Sequence, residues 1–563
     1  EELASLMDAE IHRHYVLYPL NYVAYDELEG TDSSEHYTPE ERAEALRYIE
    51  ARLQLVQLPE GLEPDKAFLR HDVRQSAAQP AEGSSCYRAM RRPNARQLHK
   101  WLGLPLCVLL FLAALSGILL NHRELLRSVD VPRGLLPSEY SYTNWSGGAV
   151  RSALRTATDS YLYGSAGVWR SDSAMQAPAV ALNDGLAPGG DERKVMSMAQ
   201  LRSGEIWLAS QFRIYRLDQQ RQRWQEQPLP EGVHGRLADL VAHGDSLLLL
   251  SRSRLYLRTP GQSQWQPISW EAHDTYTGEI TLFRIVWALH SGEYFGLVGR
   301  LVVDLIGVVI MLLCLTGIFY TLYKERLKRW KSRKHSPEGV QRKQGLMRRL
   351  GWHFRWHKFL GKRLIWLTTF VVVTGWVLRP PLMLPLIFNE MRPAGWSELG
   401  SDNPWFERLR ALRYNKVEDN WLLSTSEGFF MLPASLQGQP EYWWGQPQVS
   451  PMGVNVLEQR ADSSWVIGSF SGMSCFTPKQ DDAPRDYFSG ETVLADPYSR
   501  PIGGHLIAGA ILGATPAEDR VFLYDQGLLR GGDFSAAASF VAQPKELNET
   551  PYSLWQAALE LHA

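Results

Sequence analysis

Three long apolar segments constrain the fold of this 563-residue chain more than any other feature of its sequence. They cover about residues 102–120, 297–323 and 364–386, and prolines interrupt the end of the third. Each segment has roughly the 20 residues that a helix needs to cross the apolar core of a bilayer. Buried core helices of this length with so few charges are rare. The sequence therefore predicts an integral membrane protein.

The basic residues that flank these segments predict their orientation. Between Lys324 and Arg363, fifteen Lys or Arg residues stand against two acidic residues, and four more basic residues lie within 91–100. Cytoplasmic segments of membrane proteins carry such an excess. We therefore expect these basic regions to be cytoplasmic and regions 123–285 and 388–550 to be external. The net charge of -2 excludes a generally basic nucleic-acid-binding protein, so no nucleic-acid partner is expected.

The two predicted external regions repeat a pattern of a short strand, a turn and a second strand. The pattern occurs at about residues 205–217, 246–257, 420–431 and 464–476. Spacing of about 40 residues between adjacent units is typical of propeller blades, and a sandwich is the alternative all-β arrangement. One tryptophan occupies an equivalent place in three of the units, and we predict that all three are buried: Trp207, Trp421 and Trp465.

An internal repeat relates the apolar segments to one another. His99-Lys100-Trp101-Leu102-Gly103 opens the first segment, and His357-Lys358-Phe359-Leu360-Gly361 opens the third. In both segments a hydroxyl residue and a glycine follow near the far end, as Ser116-Gly117 and Thr374-Gly375. The final residues 554–562 match residues 282–290, so that His562 corresponds to His290. We therefore expect an α-helical transmembrane bundle that is a tandem repeat of two spans, each half enclosing an external β domain.

The predicted organisation is as follows along the chain: 1–90, a cytoplasmic N-terminal segment; 91–122, the first transmembrane helix; 123–285, the first external β domain; 286–323, the second transmembrane helix; 324–356, a basic cytoplasmic loop; 357–387, the third transmembrane helix; 388–550, the second external β domain; and 551–563, the start of a fourth transmembrane helix, most of which is expected beyond this sequence.

The motifs at the ends of the spans resemble those of the PepSY-associated transmembrane family. That family includes inner-membrane ferric-siderophore reductases of iron-uptake systems. The resemblance rests on the His-x-x-Leu-Gly elements at His99 and His357 and on the Leu-His-x-Gly element at His290. It implies a multi-pass oxidoreductase of a bacterial inner membrane that reduces a ferric chelate or siderophore, and the external β domains would then be periplasmic. The external regions depart from the family, because β repeats stand where a PepSY unit is expected.

The histidines at the ends of the spans are candidate haem ligands. A neutral imidazole at a helix end, facing another helix, is a natural axial ligand for haem iron. The repeat relates His99 to His357 beside the cytoplasmic flank, and we expect this pair to hold an inner haem. On the external side we expect His290 to pair with His122, with His562 as the competing partner. The expected cofactor is thus haem b, with two haems in each chain.

No Gly-x-Gly-x-x-Gly motif follows a predicted strand, so the sequence indicates no flavin or nicotinamide site. The electron donor is therefore expected to be another protein or a quinol, and membrane lipid is a further partner. Arg300 and Asp304 lie four residues apart within the second span, and we expect them to pair with each other or Arg300 to bind a haem propionate. The alternative function is a membrane-anchored β-repeat sensor or binding module with structural histidines.

The N-terminal residues 1–90 differ from the rest of the chain. Residues 18–26 resemble the C-terminal tail of bacterial glycerolipid acyltransferases. The catalytic His-x4-Asp motif of those enzymes is absent from this sequence. We therefore expect a segment that lacks the acyltransferase active site.

Overall fold

The computed structural model describes residues 95–562, except for residue 234 and the segments 331–336, 448–449, 451–452, 477–482, 494–502 and 536–539. The N-terminal segment, with its resemblance to acyltransferases, lies outside the described residues. The helices have the following bounds: α1 Ala95–Asn121, α2 Arg123–Leu126, α3 Leu282–Ser291, α4 Gly296–Trp330, α5 Pro337–Arg363, α6 Ile365–Val377, α7 Met383–Ile387 and α8 Leu554–His562.

Two of the described helices are long and apolar enough to cross a membrane. These candidate spans are Leu98–Asn121 in α1 and Glu293–Lys328, which contains most of α4. They enclose the segments 102–120 and 297–323 that the sequence predicted as spans. Helices α5 and α6 would form a third span if taken together, but they meet at a bend of 70°. The chain therefore has two or three helical segments suited to a membrane.

The third predicted span differs from a single straight helix. Helix α6 ends at Val377, and the short α7 begins only at Met383. Pro380 and Pro381 lie between them and lack the backbone N–H that a continuing helix requires. The polypeptide therefore leaves the helical path well before residue 386, where the apolar segment ends.

The basic region 324–356, predicted as a loop, is largely helical. Helix α4 extends into it as far as Trp330, and α5 begins at Pro337. Glutamine, lysine, arginine, leucine and methionine have high helix propensity, and proline is well tolerated in the first helical turn. Positive charge predicts which side of the membrane a segment occupies, but it does not exclude a helix.

The remaining residues form small antiparallel sheets. The strands of the first half are β1 Asp130–Val131, β2 Ser152–Arg155, β3 Asp159–Gly164, β4 Gly167–Asp172, β5 Val180–Ala181, β6 Val195–Gln200, β7 Ile206–Ser210, β8 Ile214–Asp218, β9 Arg223–Gln227, β10 Leu237–His243, β11 Ser246–Ser251, β12 Leu255–Arg258, β13 Gln266–Ile268 and β14 Ile280–Thr281. The strands of the second half are β15 Glu390–Met391, β16 Leu409–Asn415, β17 Asn420–Thr425, β18 Phe429–Pro433, β19 Glu441–Tyr442, β20 Val456–Gln459, β21 Trp465–Ser469, β22 Gly472–Phe476, β23 Arg485–Asp486, β24 Ile507–Ile511, β25 Arg520–Leu523, β26 Gly527–Arg530 and β27 Tyr552–Ser553.

Six of these sheets follow one another in simple strand order. They are β2–β5, β6–β9, β10–β13, β16–β19, β20–β23 and β24–β26. The first strand of each sheet packs against the first strand of the next, and β24 packs against β2. The six sheets remain separate, and no strand pairing among the described residues joins them into a closed barrel. The two external regions predicted as separate domains are therefore in contact with each other.

The tryptophans of the repeated pattern lie in the cores between these sheets. Trp207, Trp421 and Trp465 lie on the second strands β7, β17 and β21, and each is only 1% exposed. Trp421 also satisfies its indole nitrogen, which donates to the carbonyl oxygen of Ala434 at 3.2 Å. The prediction that all three are buried is confirmed, as is the short-strand pattern on which it was based.

Two short strand pairs connect the sheets to the helices. Strand β1 follows α1 and α2 and pairs with β27, which immediately precedes α8. Strand β14 immediately precedes α3 and pairs with β15, which follows α7. The short helices α3 and α8 thus each begin at a two-residue strand, as the match between 282–290 and 554–562 suggests. These pairs hold the entry of one half beside the exit of the other.

Candidate functional site

The first candidate site lies between α1 and α5, where His99 and His357 face each other. Their ring centres are 6.1 Å apart, with 55° between the ring planes. Nδ1 of His357 lies 3.1 Å from the carbonyl oxygen of Leu313 and 3.2 Å from Oγ1 of Thr316. A carbonyl oxygen only accepts hydrogen bonds, so Nδ1 of neutral His357 carries the proton and Nε2 is a free base. The structure thus brings together the two histidines that the repeat relates.

The second candidate site lies between α3 and α8, where His290 and His562 are neighbours. Their ring centres are also 6.1 Å apart, with 46° between the planes. Nδ1 of His290 lies 3.1 Å from the carbonyl oxygen of Val371 and 3.1 Å from Oγ1 of Thr374. Nδ1 of His562 lies 3.0 Å from the carbonyl oxygen of Ala113 and 3.0 Å from Oγ of Ser116. The neutral rings therefore present an unprotonated Nε2 here as well.

His122 does not take part in this second pair, contrary to the sequence-based preference for it over His562. Its Nε2 lies 2.8 Å from Oδ2 of Asp304, and Asn121 donates to Oδ1 of the same carboxylate at 2.9 Å. His122 follows the last residue of α1, whereas α8 packs along α1 and carries His562 back to the level of Ala113. The competing partner named from the sequence is the one that lies beside His290.

Arg300 and Asp304 do not pair with each other. The carboxylate of Asp304 binds His122 and Asn121, as above, while a guanidinium nitrogen of Arg300 lies 3.9 Å from Oε1 of Glu293. Glu293 also accepts two hydrogen bonds from Arg284 at 2.8 Å. The expected ion pair within the second span is therefore replaced by two separate polar contacts.

Each of three histidines packs against a glycine that directly follows its hydroxyl partner. A Cβ atom added to the glycine would lie close to Cε1 of the histidine: 3.2 Å for Gly117 and His562, 3.4 Å for Gly317 and His357, and 2.8 Å for Gly375 and His290. The Ser/Thr-Gly elements of the repeat therefore position the histidines of another helix. The equal spacing from histidine to glycine was visible in the sequence, but this contact was not predicted.

The spacing of the rings suits one metal ion between two imidazoles. A ring-centre distance of 6.1 Å is close to two metal–nitrogen bonds of about 2 Å, plus about 1 Å from each Nε2 to its ring centre. In the part of the chain that the structure describes, no three His, Cys, Asp or Glu side chains are grouped for a metal ion. Each site thus offers two nitrogen ligands, which would complete a six-coordinate haem iron, since the porphyrin supplies four.

A large cavity connects the second histidine pair with the β sheets. Its volume is about 2770 Å³. His290 and His562 line the helical side of this cavity, and the opposite side is formed by the ends of several sheets, with Arg151, Lys194 and Arg236 among the lining residues. These basic residues were not singled out from the sequence.

The chain was compared with curated sequences and with solved structures. No curated protein sequence matches this chain. Among solved structures, the chain is similar to the extracellular domain of a hybrid two-component system from B. thetaiotaomicron, with 8% identity and a TM-score of 0.32. It is also similar to PorZ, a surface component of the type-IX secretion system of Porphyromonas gingivalis, with 10% identity and a TM-score of 0.21. The matches cover 67% of this chain and 32% and 44% of those chains, respectively.

A family comparison matches a region that contains most of the helices, the strands of the first half and three of the four paired histidines. The PepSY-associated TM region matches residues 96–416. This is more than half of the chain, and it contains α1, α4, α5 and α6 together with His99, His290 and His357. The protein therefore belongs to the PepSY-associated transmembrane family.

Proposed function

We propose that this protein is a haem-containing reductase of a bacterial inner membrane that passes electrons to a ferric chelate or siderophore outside. The observation that carries this proposal is the presence of two histidine pairs with the same ring spacing of 6.1 Å. A haem b at each pair would supply a one-electron carrier. The protein would contribute His99 and His357 to one haem, and His290 and His562 to the other.

The contacts around the histidines support a role as ligands. Metal-binding histidines usually donate their second ring N–H to a carbonyl or carboxylate oxygen, which fixes the tautomer and the ring orientation. His290, His357 and His562 all have a backbone carbonyl oxygen within 3.1 Å of Nδ1. A purely structural histidine has no need of a free Nε2 directed away from its hydrogen-bonding partner. Three equivalent arrangements therefore favour ligation over simple packing.

The two pairs lie at different levels along α1. His99 belongs to the first pair, and His562 of the second pair packs on Gly117, which lies 18 residues later. At 1.5 Å per residue this is about 27 Å along the helix, close to the roughly 30 Å thickness of a hydrocarbon core. Two carriers at these levels would lie near opposite faces of a membrane. This arrangement suits electron transfer across the bilayer.

We also propose that the two halves of the protein are related as a tandem repeat of two spans, with the six sheets in a propeller-like cycle in the periplasm. The equivalent positions of α3 and α8, each preceded by a two-residue strand, support the repeat. Contacts between successive first strands, including β24 with β2, support the cycle. The donor in this proposal is another protein or a quinol; oxidation of one quinol releases two protons and two electrons, which reduce two ferric ions.

Absorption spectroscopy tests the proposed function directly. Protein purified in detergent should show a Soret band that shifts when dithionite is added, and a haem assay should give about two haems per chain. A preparation that contains no haem even when expressed with added haem precursor would overturn the reductase. It would instead favour the alternative, a membrane-anchored sensor or binding module in which the histidines are structural.

Topology is a separate expectation of this proposal. Because positive charge is retained in the cytoplasm, a fluorescent protein fused after Val340 should fluoresce, and alkaline phosphatase at the same position should be inactive. A fusion within the sheets, at Gly261, should give the opposite result. Active phosphatase at Val340 would reverse the assigned orientation.

Replacing Gly375 with alanine should reduce the haem held by the second pair. The new Cβ would lie 2.8 Å from Cε1 of His290, so the ring must move from its place on α6. Gly345→Ala is a matched control, because no atom lies within 4 Å of a Cβ at that helical position. We expect the control to retain full haem content and Gly375→Ala to lose most of one haem in the pyridine haemochrome assay. Equal haem content in the two variants would contradict this role of Gly375.

A further inference from the structure

Basic residues converge at one end of the cycle of sheets. The residue directly before the first strand is a cation in four sheets, namely Arg151 before β2, Lys194 before β6, Arg236 before β10 and Arg408 before β16. All four line the large cavity that His290 also lines. These four positions are structurally equivalent, so the cluster of cations is a property of the β region as a whole.

The carboxylates near these cations do not neutralise all of them. Asp191 accepts two hydrogen bonds from Arg123, at 2.8 and 2.7 Å, and Glu427 binds Arg408 at 2.6 Å. Glu407 lies 3.8 Å from Nε of Arg252. Within the described ranges, no carboxylate forms an ion pair with Arg151, Lys194 or Arg236. This end of the cavity therefore carries an excess of positive charge.

The crowding of these cations is electrostatically unfavourable in the absence of a bound anion. Desolvation by the surrounding protein, followed by the charges of Arg151 and Arg123, lowers the pKa of Lys194 to about 8, although the residue is exposed to the cavity. Burial and the charge of Arg236 lower the pKa of Arg252 to about 10. Burial also lowers the pKa values of Arg151 and Arg236. A bound anion would offset the loss of hydration and the mutual repulsion.

We propose that this basic end of the cavity binds a soluble multivalent carboxylate chelate, through Arg151, Lys194 and Arg236. Several separated cations suit an anion whose charge is spread over several carboxylates. The cavity of about 2770 Å³ exceeds the roughly 300–1,000 Å³ of common small-molecule sites, so it has room for a metal chelate at its basic end in addition to a haem at His290 and His562. The inference rests on the proposed function in one respect, since it takes the chelated metal to be ferric iron and thereby names the substrate class.

Calorimetric titration of the full chain in detergent tests this site, with citrate and ferric citrate as probes. We expect both probes to bind. The double variant Lys194→Met/Arg236→Gln should lose about 10-fold or more in affinity for each cation removed. The matched control is Arg223→Gln/Lys416→Met, which removes two exposed cations that do not line the cavity. Lys194→Arg keeps the positive charge at this position and should bind citrate. A folding defect caused by changing this residue is thereby excluded as the reason for weaker binding in the double variant.

The pH dependence provides a second readout. Lys194 is charged below about pH 8 and loses its proton above that value, while citrate is fully ionised on both sides. The charged groups that act on Lys194 are Arg123, Arg151, Arg236 and Asp191. Affinity for citrate should therefore fall as the pH rises through 8. The fall should extend slightly above pH 8, because bound citrate raises the pKa of Lys194. Lys194→Arg should bind without this fall.

Several outcomes would overturn the proposal. One is equal citrate affinity in the double variant and its control, and another is binding of inorganic phosphate in place of citrate. Loss of citrate binding in nanodiscs that contain phosphatidylglycerol would assign the site to a lipid headgroup instead. The result is also separable from the proposed function. Citrate binding that depends on Lys194 in a protein without haem would contradict the proposed reductase and support the anion site. Two haems in a protein that does not bind citrate would support the reductase and contradict the anion site.

Discussion

Replacing His562 with alanine should remove about one haem per chain, and replacing His290 should remove the same haem. The two rings lie 6.1 Å apart, and each holds its Nδ1 against a neighbouring helix. Loss of either ring leaves a metal with a single protein ligand, which usually releases it. The double variant should therefore lose no more haem than either single variant. Haem content per chain, measured by the pyridine haemochrome assay, checks this result.

His122→Ala is the matched control for the outer pair. His122 lies near the same end of α1, but its Nε2 binds Asp304 at 2.8 Å rather than facing His290. Its replacement should leave both haems in place. Loss of one haem in His122→Ala, together with full haem content in His562→Ala, would contradict the pairing of His290 with His562. It would instead make His122 the partner of His290, as the sequence favoured. His99→Ala and His357→Ala should each remove the other haem, which shows that the two sites are independent.

The contrast between the two histidine pairs shows what the sequence can and cannot predict. His99 and His357 occupy matching motifs, and the repeat alone placed them on facing helices. Two histidines compete as the partner of His290, because His122 lies within the same half of the chain and His562 corresponds to His290 in the repeat. Only the packing of α8 along α1 decides between them. The match between 554–562 and 282–290 indicated His562, whereas the position of His122 within the same half of the chain, with no need of a further helix, favoured His122.

The β region shows a similar division. Alternating apolar residues and turn residues were sufficient to predict short strands and the buried Trp207, Trp421 and Trp465, because burial follows from local pattern. The basic end of the cavity was not predicted. Its cations stand before strands some 40 residues apart, and the sequence does not show that these separate positions come together. Such a cluster exists only once the first strands of successive sheets pack together.

Asp519→Ala should destabilise the β region by about 3–5 kcal/mol, because it would leave a buried cation without its partner. The carboxylate of Asp519 is fully buried and pairs with Arg460, whose side chain is 7% exposed. It also accepts hydrogen bonds from the hydroxyl of Tyr487 at 2.8 Å and the backbone N–H of Gly513 at 2.9 Å. Arg460 follows β20 and Asp519 precedes β25, so this ion pair connects two neighbouring sheets.

Denaturation of the full chain, followed by tryptophan fluorescence, measures the effect. Asp462→Ala is the control, because Asp462 is an exposed turn residue that accepts hydrogen bonds only from Ser464 among the described contacts. Its loss should cost about 1 kcal/mol or less. The double variant Asp519→Leu/Arg460→Met should recover part of the stability that Asp519→Ala loses, since removing both charges is less harmful than removing one. If Asp519→Ala unfolded at the same denaturant concentration as Asp462→Ala, the pair would not be what holds these two sheets together.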